Sequence, residues 1–403
     1  MVGAADATGT LPVIDLNREE FWQDIYPDLA VAREASPVAM TTDGVTYVLR
    51  QREVDEVLRD NAFVAADLLA MMGLDEGPIW EWWQRMMFSQ NPPDHTRLRT
   101  LVSRAFTPKA AEQWRERIRA TVDDLLAPAF EEGRVEVMGS IAHQLPAEIM
   151  AEMMAIPSSD REVFSEWTTD IGLAFGAVGD PEVKARVESS LAHLDAYVRG
   201  LIDERHGQGG DDLLSELIAA EEGGDRLSTE ELVTLVENLL FAGHDTTRGA
   251  IGVVFNLFAT WKDQYARLRA DGGYVPNAVE EILRYEAITF STSRLASEDR
   301  EIGGVPVAAG TPVGLCLPSA SRDPRRYDDP DRFDITRTDV RPPTFGAGVH
   351  FCLGAALARV ELQELLSGLL TRAEDIDLEA PARWSPFAYI RRYEELPVSL
   401  TVG

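Results

Sequence analysis

The stretch Phe345-Gly346-Ala347-Gly348-Val349-His350-Phe351-Cys352-Leu353-Gly354 decides the fold. Cys352 stands just before a segment whose apolar residues Leu353, Ala356, Leu357, Val360, Leu365, Leu366 and Leu369 give a broad helical face. A thiol at a helix N-terminus meets the positive end of the dipole, which predicts a lowered pKa and thiolate character. Gly346, Gly348 and Gly354 let backbone pass close to something flat and bulky. A buried, inert cysteine is the ordinary alternative, but these glycines and His350 weigh against it. A dinucleotide-binding turn is excluded, because Phe351 stands where the third glycine of GxGxxG belongs.

Working outward, the next informative segment starts at Ser228. Ser228 and Glu231 fit a capping box. Leu232, Leu235, Val236, Leu239 and Leu240 follow at helical spacing, and Ile251 to Phe258 resume it up to Trp261. At about 1.5 Å per residue this predicts a helix of roughly 50 Å through the core. Its polar interruption is Ala242-Gly-His-Asp-Thr-Thr247. Thr246 and Thr247 can bond back to the carbonyls of Ala242 and Gly243 and loosen the helix. A carboxylate there, Asp245, is costly unless paired or solvated. A satisfied polar cluster is one reading; a pocket that handles oxygen and protons is the other, favoured by Gly, Asp and Thr occurring together.

Two more short patterns matter. In Glu281-Ile-Leu-Arg284 the charges sit at i, i+3 on one helix face and can pair. In His95-Thr-Arg-Leu-Arg99, after Pro92 and Pro93, His95 and Arg99 share a face set to meet an anion. Strand-like runs are few: Val45 to Leu49, Val305 to Val307, Thr311 to Leu317 and Pro397 to Val402. The connections at His206 to Asp212 and Glu221 to Asp225 are too short for interdomain linkers.

Bulk properties narrow the class. The 403 residues are 45% hydrophobic and 26% charged, ordinary for a globular chain with a large core. Against 68 acidic residues stand 38 Lys and Arg, a net charge of −30. Such a surface repels nucleic acid and anionic membrane. Two cysteines, Cys316 and Cys352, suit a reduced, intracellular setting. The opening residues MVGAADATGTLP have no basic or apolar region of a signal peptide. No apolar run reaches the roughly 18 residues of a membrane span. A soluble, cytoplasmic protein is expected.

The Phe345–Gly354 decapeptide closely resembles the haem-binding loop of the cytochromes P-450, and the likeness continues through Ala358, Arg359 and Glu361. The resemblance implies a mainly α fold with a small β portion, one triangular-prism-like haem domain over residues 37–403. Residues 1–36 would be a partly disordered N-terminal segment. It makes Cys352 the thiolate ligand of iron in haem b, a ligation that pushes electron density toward O–O cleavage. Phe345, His350 and Gly354 belong to the same loop, with His350 at a haem propionate. His95, Arg99 and Arg294 (in STSRLASED) match the other propionate contacts. No CxxCH occurs, so haem would be held by coordination and packing. Glu281 and Arg284 match the structural ExxR pair, closed by an Arg or similar group within Ser321 to Asp334. Asp245 and Thr246 match the acid–alcohol pair that relays protons and steadies dioxygen.

The implied activity is oxidation of an apolar small molecule by O2, the cofactor supplying the hard chemistry. Electrons would come from NAD(P)H through a separate ferredoxin reductase and ferredoxin, to a monomer. Peroxide-driven turnover and a haem-bearing binding protein are the competing readings, and the Asp245–Thr246 pair argues against both. Expected pocket residues are Met86, Met87, Ala242, Ile288, Phe290, Thr292 and Tyr389, with Trp80, Trp82 and Trp83 nearby. Between His95 and Arg119 seven basic residues face two glutamates, giving 7 − 2 = +5 in a chain of −30. That island is expected to dock an acidic ferredoxin.

Overall fold

The apolar run after Ser228 folds as one helix, Thr229–Thr260, with no break at the polar interruption. Its start is fixed as the sequence predicts. Glu231 N–H donates to Ser228 Oγ at 3.2 Å, and Ser228 N–H donates to the Glu231 carboxylate at 2.9 Å. Loss of such a cap costs about 1 kcal/mol. At about 1.5 Å per residue the helix spans the molecule, and it is buried on nearly every side. It is α3 among the helices that frame the site: α1 (Pro78–Arg85), α2 (Asp94–Val102), α3 (Thr229–Thr260), α4 (Val275–Tyr285) and α5 (Ala355–Arg372). The computed structural model describes residues 11–403 apart from 72, 176–178 and 223–226. Part of the connection expected at Glu221 to Asp225 therefore lies outside the described residues.

Strands gather toward the chain ends, as the pattern suggests. They are β1 (Val13–Ile14), β2 (Val38–Thr41), β3 (Thr46–Val48), β4 (Phe63–Ala65), β5 (Arg134–Glu136), β6 (Ser291–Ala296), β7 (Arg300–Ile302), β8 (Val305–Val307), β9 (Pro312–Cys316), β10 (Ala373–Leu378) and β11 (Pro397–Val402). The main sheet runs β1-β2-β3-β9-β6-β4. β3 and β9 pair in parallel, Tyr47 opposite Gly314, and β6 lies antiparallel to β9 with Arg294 opposite Val313. This register turns Arg294 inward, where its side chain is buried.

Residues 11–36, expected as a segment apart from a domain starting at residue 37, are woven into the same sheet and core. β1 pairs with β2, and Phe21, Trp22, Ile25 and Leu29 pack with Phe290 and Tyr47. Residues 1–10 lie outside the described ones.

Glu281 and Arg284 are fully buried on α4 and form a two-point ion pair of 2.7 and 2.8 Å. The closing cation is Arg337, beyond the expected stretch, its Nε donating to Glu281 at 3.1 Å. The stretch Ser321 to Asp334 supplies backbone instead. The carbonyls of Ser321, Pro330 and Arg332 accept from Arg284, and Asp334 N–H donates to Glu281. Isolated buried charges are expensive; here every one is answered.

Candidate active site

A cavity opens between the middle of α3, the start of α5 and strand β6. Its lining includes Ala242 and Thr246 from α3, Arg294 from β6, and His350 and Cys352 from the loop before α5. A second lobe reaches His95, Arg99, Gly354 and Glu361. The loop owes its shape to Gly348, at φ +68°, where a Cβ would lie 2.3 Å from the Leu58 carbonyl oxygen. Only glycine fits such an approach in that conformation. Cys352 N–H then donates to the Phe345 carbonyl at 2.8 Å, and the cysteine side faces the cavity. Phe345 is held under the Arg359 guanidinium, 4.5 Å from its ring centre.

The predicted lowering of the Cys352 pKa is corrected. Burial pushes the thiol up, and the N–H groups of Gly354 and Ala355, with Arg99 and Arg359, offset this only in part. The helix begins at Ala355, so Cys352 stands outside its first turn, and the dipole effect fades over that distance. A metal would remove the proton outright.

Around one side of the cavity lie His95, Arg99, Arg294 and His350. The His95 and His350 rings are 4.1 Å apart, and neither Nδ1 has a partner. Among the described residues Arg294 donates only to Thr292 Oγ1 and the Ser293 carbonyl. Arg99 reaches the Phe351 carbonyl at 2.5 Å. Among the described residues no carboxylate pairs with either arginine. Burial brings Arg294 down to about 10, and burial with the nearby cations brings His350 down to about 3. Two arginines without a carboxylate partner among the described residues, beside two histidines whose pKa burial lowers, suit an anionic cofactor with two carboxylates, and the adjoining thiol suits a soft metal. Haem b, with its iron and two propionates, fits the donors present.

On α3, Thr246 Oγ1 donates to the Ala242 carbonyl at 3.1 Å, as predicted, without bending the helix out of its hydrogen-bonding pattern. Thr247 does not bond back to Gly243; it meets Glu361 of α5. Glu361 is a site residue whose role sequence reasoning missed. Burial pushes its carboxyl up to about 8, and it borders the cavity beside Thr246. Its signal was legible, since Leu357, Glu361 and Leu365 share one face at i+4 spacing. Asp245 is buried and turned away from the cavity. Its Oδ2 accepts from Arg392 at 2.8 Å and its Oδ1 lies 3.7 Å from Arg248. Arg392 arrives on a loop that crosses α3 at Gly249, where a Cβ would meet the Arg391 carbonyl at 2.6 Å.

Of the expected pocket residues, Ala242, Ile288, Thr292 and Tyr389 line the main lobe and Met87 the second. Met86 and Phe290 do not. Met86 is fully buried in the helical core, because α1 ends at Arg85 and the extended backbone at Met86 turns its side chain inward. Phe290 is 1% exposed and packs on Phe21, Trp22 and Tyr47. Trp83 lines the cavity, whereas Trp82 donates to Glu237 and Trp80 to Asp67.

The basic island is smaller than its sequence count. Arg97 pairs with Asp94 and Glu231, Arg115 with Glu112 and Glu364, Arg117 with Glu152, and Arg119 with Glu364. Arg104 and Lys109 are exposed, and among the described residues neither has an ion-pair partner. The cysteine loop exposes Val349 and Phe351.

Comparison with known proteins identifies the architecture. Residues 185–374 match the family model Cytochrome P450. Cytochrome P450 107B1 of Saccharopolyspora erythraea is 40% identical over 97% of this chain and 98% of its own. The chain belongs to the cytochrome P450 family. Cytochrome P450 monooxygenase PikC of Streptomyces venezuelae is 36% identical over 97% of this chain and 95% of its own. P450BioI, solved in complex with a hexadec-9Z-enoic acid ligated acyl carrier protein, superposes with a TM-score of 0.89. It is 32% identical over 95% of this chain and 100% of that one. As a P450, the protein is a haem-thiolate monooxygenase: it binds haem b and oxidises an apolar small molecule with dioxygen. Its electrons come ultimately from NAD(P)H through separate redox partners. Among the described residues no helix is long and apolar enough to cross a membrane.

Proposed function

We propose that the Cys352 thiolate would hold the iron of the haem and that His95, Arg99, Arg294 and His350 would hold its propionates, with Phe345 and Gly354 shaping the seat. The observation that carries this reading is the pair Arg99 and Arg294, which among the described residues meet no carboxylate, beside two histidines with unpartnered Nδ1 atoms and a thiol that lines the cavity. When bound, the haem supplies electron transfer to dioxygen and its cleavage. The chain's own residues do the rest. Thr246 Oγ1 gives up its bond to the Ala242 carbonyl and donates toward the oxygen side of the cavity. Asp245, which accepts from Arg392 and lies near Arg248, takes protons from outside and passes them toward Thr246. Glu361, protonated and bonded to Thr247, is a second proton store at the same turn. Ile288, Thr292, Tyr389, Ala242 and Met87 surround the substrate.

The electron donor is proposed to be a ferredoxin, itself reduced by a ferredoxin reductase. It docks over the exposed Val349 and Phe351, with Arg104 and Lys109, which pair with no carboxylate among the described residues, as its cations. The chain works as a monomer in the cytoplasm, a setting that its net charge of −30 and two unpaired cysteines suit.

The test is Cys352→Ala against Cys316→Ala. Reduced wild type under carbon monoxide should absorb at the long wavelength diagnostic of thiolate ligation. Cys352→Ala should lose that band and Cys316→Ala, whose thiol is buried away from the cavity, should keep it. The opposite pattern would sink the assignment.

A further inference from the structure

One end of the cavity holds a polar chain that the haem reading leaves unused. Tyr47 of β3 is buried, and its hydroxyl lies 3.3 Å from that of Tyr389, which lines the main lobe. The Ser291 hydroxyl bonds Tyr47 from behind. Tyr389 is fixed in place by main chain, its carbonyl accepting from Phe290 N–H at 2.8 Å, with Thr289 bridged to Ile390 alongside. Ser291, Tyr47 and Tyr389 therefore form a row of three hydroxyls. Among the described residues the Tyr389 hydroxyl bonds Tyr47 alone. Whichever way the row is oriented, Tyr389 has hydrogen-bonding capacity left for a ligand.

The surroundings define what that ligand can be. Apart from the Tyr389 phenol, the groups of the main lobe that ionise are Arg294, His350 and Cys352, all given to the haem in the reading above. Near Tyr389 the walls are Ile288, Thr289 and Ile390. The carboxylate that acts on the Tyr389 phenol is Asp43, and it helps burial to push that pKa up. Burial also holds Tyr47 far above its usual value. Both phenols thus stay neutral, and among the described residues that wall this end of the cavity none is a cation that could answer an anion placed against Tyr389. A buried unpaired charge is strongly disfavoured, whereas a neutral oxygen needs one hydrogen bond.

We propose that Tyr389, backed by Tyr47 and Ser291, is a specificity handle for an uncharged lipophilic substrate that carries a hydroxyl or carbonyl oxygen, and that the cavity discriminates against free carboxylates. This rests on the haem reading, because it requires Arg294 to be engaged by the cofactor.

The test uses the haem-loaded protein and a matched set of probes: decane, 2-decanone, 1-decanol and decanoate at pH 8. Binding is read by equilibrium dialysis and by the shift of the ferric haem spectrum. The ketone and alcohol should bind at least tenfold more tightly than decanoate. Tyr389→Phe should weaken ketone and alcohol several-fold while leaving decane unchanged. Tyr47→Phe, which cuts the row one step back, should act in the same direction but less. Decanoate binding as tightly as the ketone, Tyr389→Phe affecting decane and ketone alike, or no binding by any probe would each overturn the proposal. The carbon monoxide band is independent of all four probes. A protein that keeps the band and fails the series refutes the handle alone; loss of the band refutes the haem reading.

Discussion

The arginines around Glu281 and those around the cavity differ in how they are answered. Around Glu281, the arginines 284 and 337 meet a carboxylate, three backbone carbonyls take up the remaining Arg284 donors, and Asp334 N–H completes the carboxylate. Around the cavity, Arg99 and Arg294 meet carbonyls and a hydroxyl, with two histidines close by and no carboxylate. The first cluster is complete within the chain and holds the fold. The second is completed from outside. Low-dielectric surroundings make both arrangements consequential, since an unanswered charge is far costlier there than in water.

The sharpest way to break the contrast is Arg284→Leu. It strands Glu281 in the core with Arg337 as its remaining cation, and breaking such a pair costs about 3–5 kcal/mol. We expect little soluble, haem-containing protein, measured by yield and by the midpoint of thermal unfolding. A variant that folds and loads haem like wild type would show that the cluster is not structural.

Next in size is the double variant Arg99→Ala with Arg294→Ala. Each charge-assisted bond to a propionate is worth about 1.5–3 kcal/mol, so haem occupancy should drop sharply. Haem-free protein should behave oppositely to the Arg284 case: removing two cations that lack carboxylates should leave its unfolding temperature equal or higher. A fall in the stability of the haem-free protein would place these arginines in the structural class.

A third solution to the same problem gives the smallest effect. Glu237 of α3 is buried against the Trp82 indole, which donates to it at 3.2 Å, and burial pushes its carboxyl up to about 8. It escapes the cost of charge by keeping its proton. An unfolded glutamate titrates near 4.5, so between these values the folded chain holds a proton that the unfolded chain has lost. Stability therefore falls as pH rises through that window. Glu237→Gln keeps an acceptor for Trp82 and removes the titration. Its unfolding temperature relative to wild type should rise between pH 5 and pH 8, and a constant difference would refute the assignment.

What sequence could show follows the range of the contacts. The cap of α3, the Glu281–Arg284 pair, the shared face of His95 and Arg99 and the cysteine loop are all local, so spacing alone brings their residues together. Arg392 meets Asp245 across 147 positions, and Tyr389 meets Tyr47 across 342. No periodicity encodes such encounters; they depend on how loops cross helices, as at Gly249. Phe290 was misplaced for a related reason. Its partners Phe21 and Trp22 lie in a segment that composition gives no cause to join to the core. The basic island misled because charge was counted along the chain, while Glu152, Glu231 and Glu364 neutralise it from elsewhere.

The strand order also sets a schedule. β3 ends at Val48, yet its parallel neighbour β9 starts at Pro312. At about 5–20 residues per second of synthesis, roughly 13–50 s separate the appearance of the two on the ribosome. Throughout that interval β3 has an open edge with Val48 beside it, a surface suited to mispairing. β3 gains its partner only when more than three quarters of the chain has been made, so β9 is the strand whose arrival covers the β3 edge.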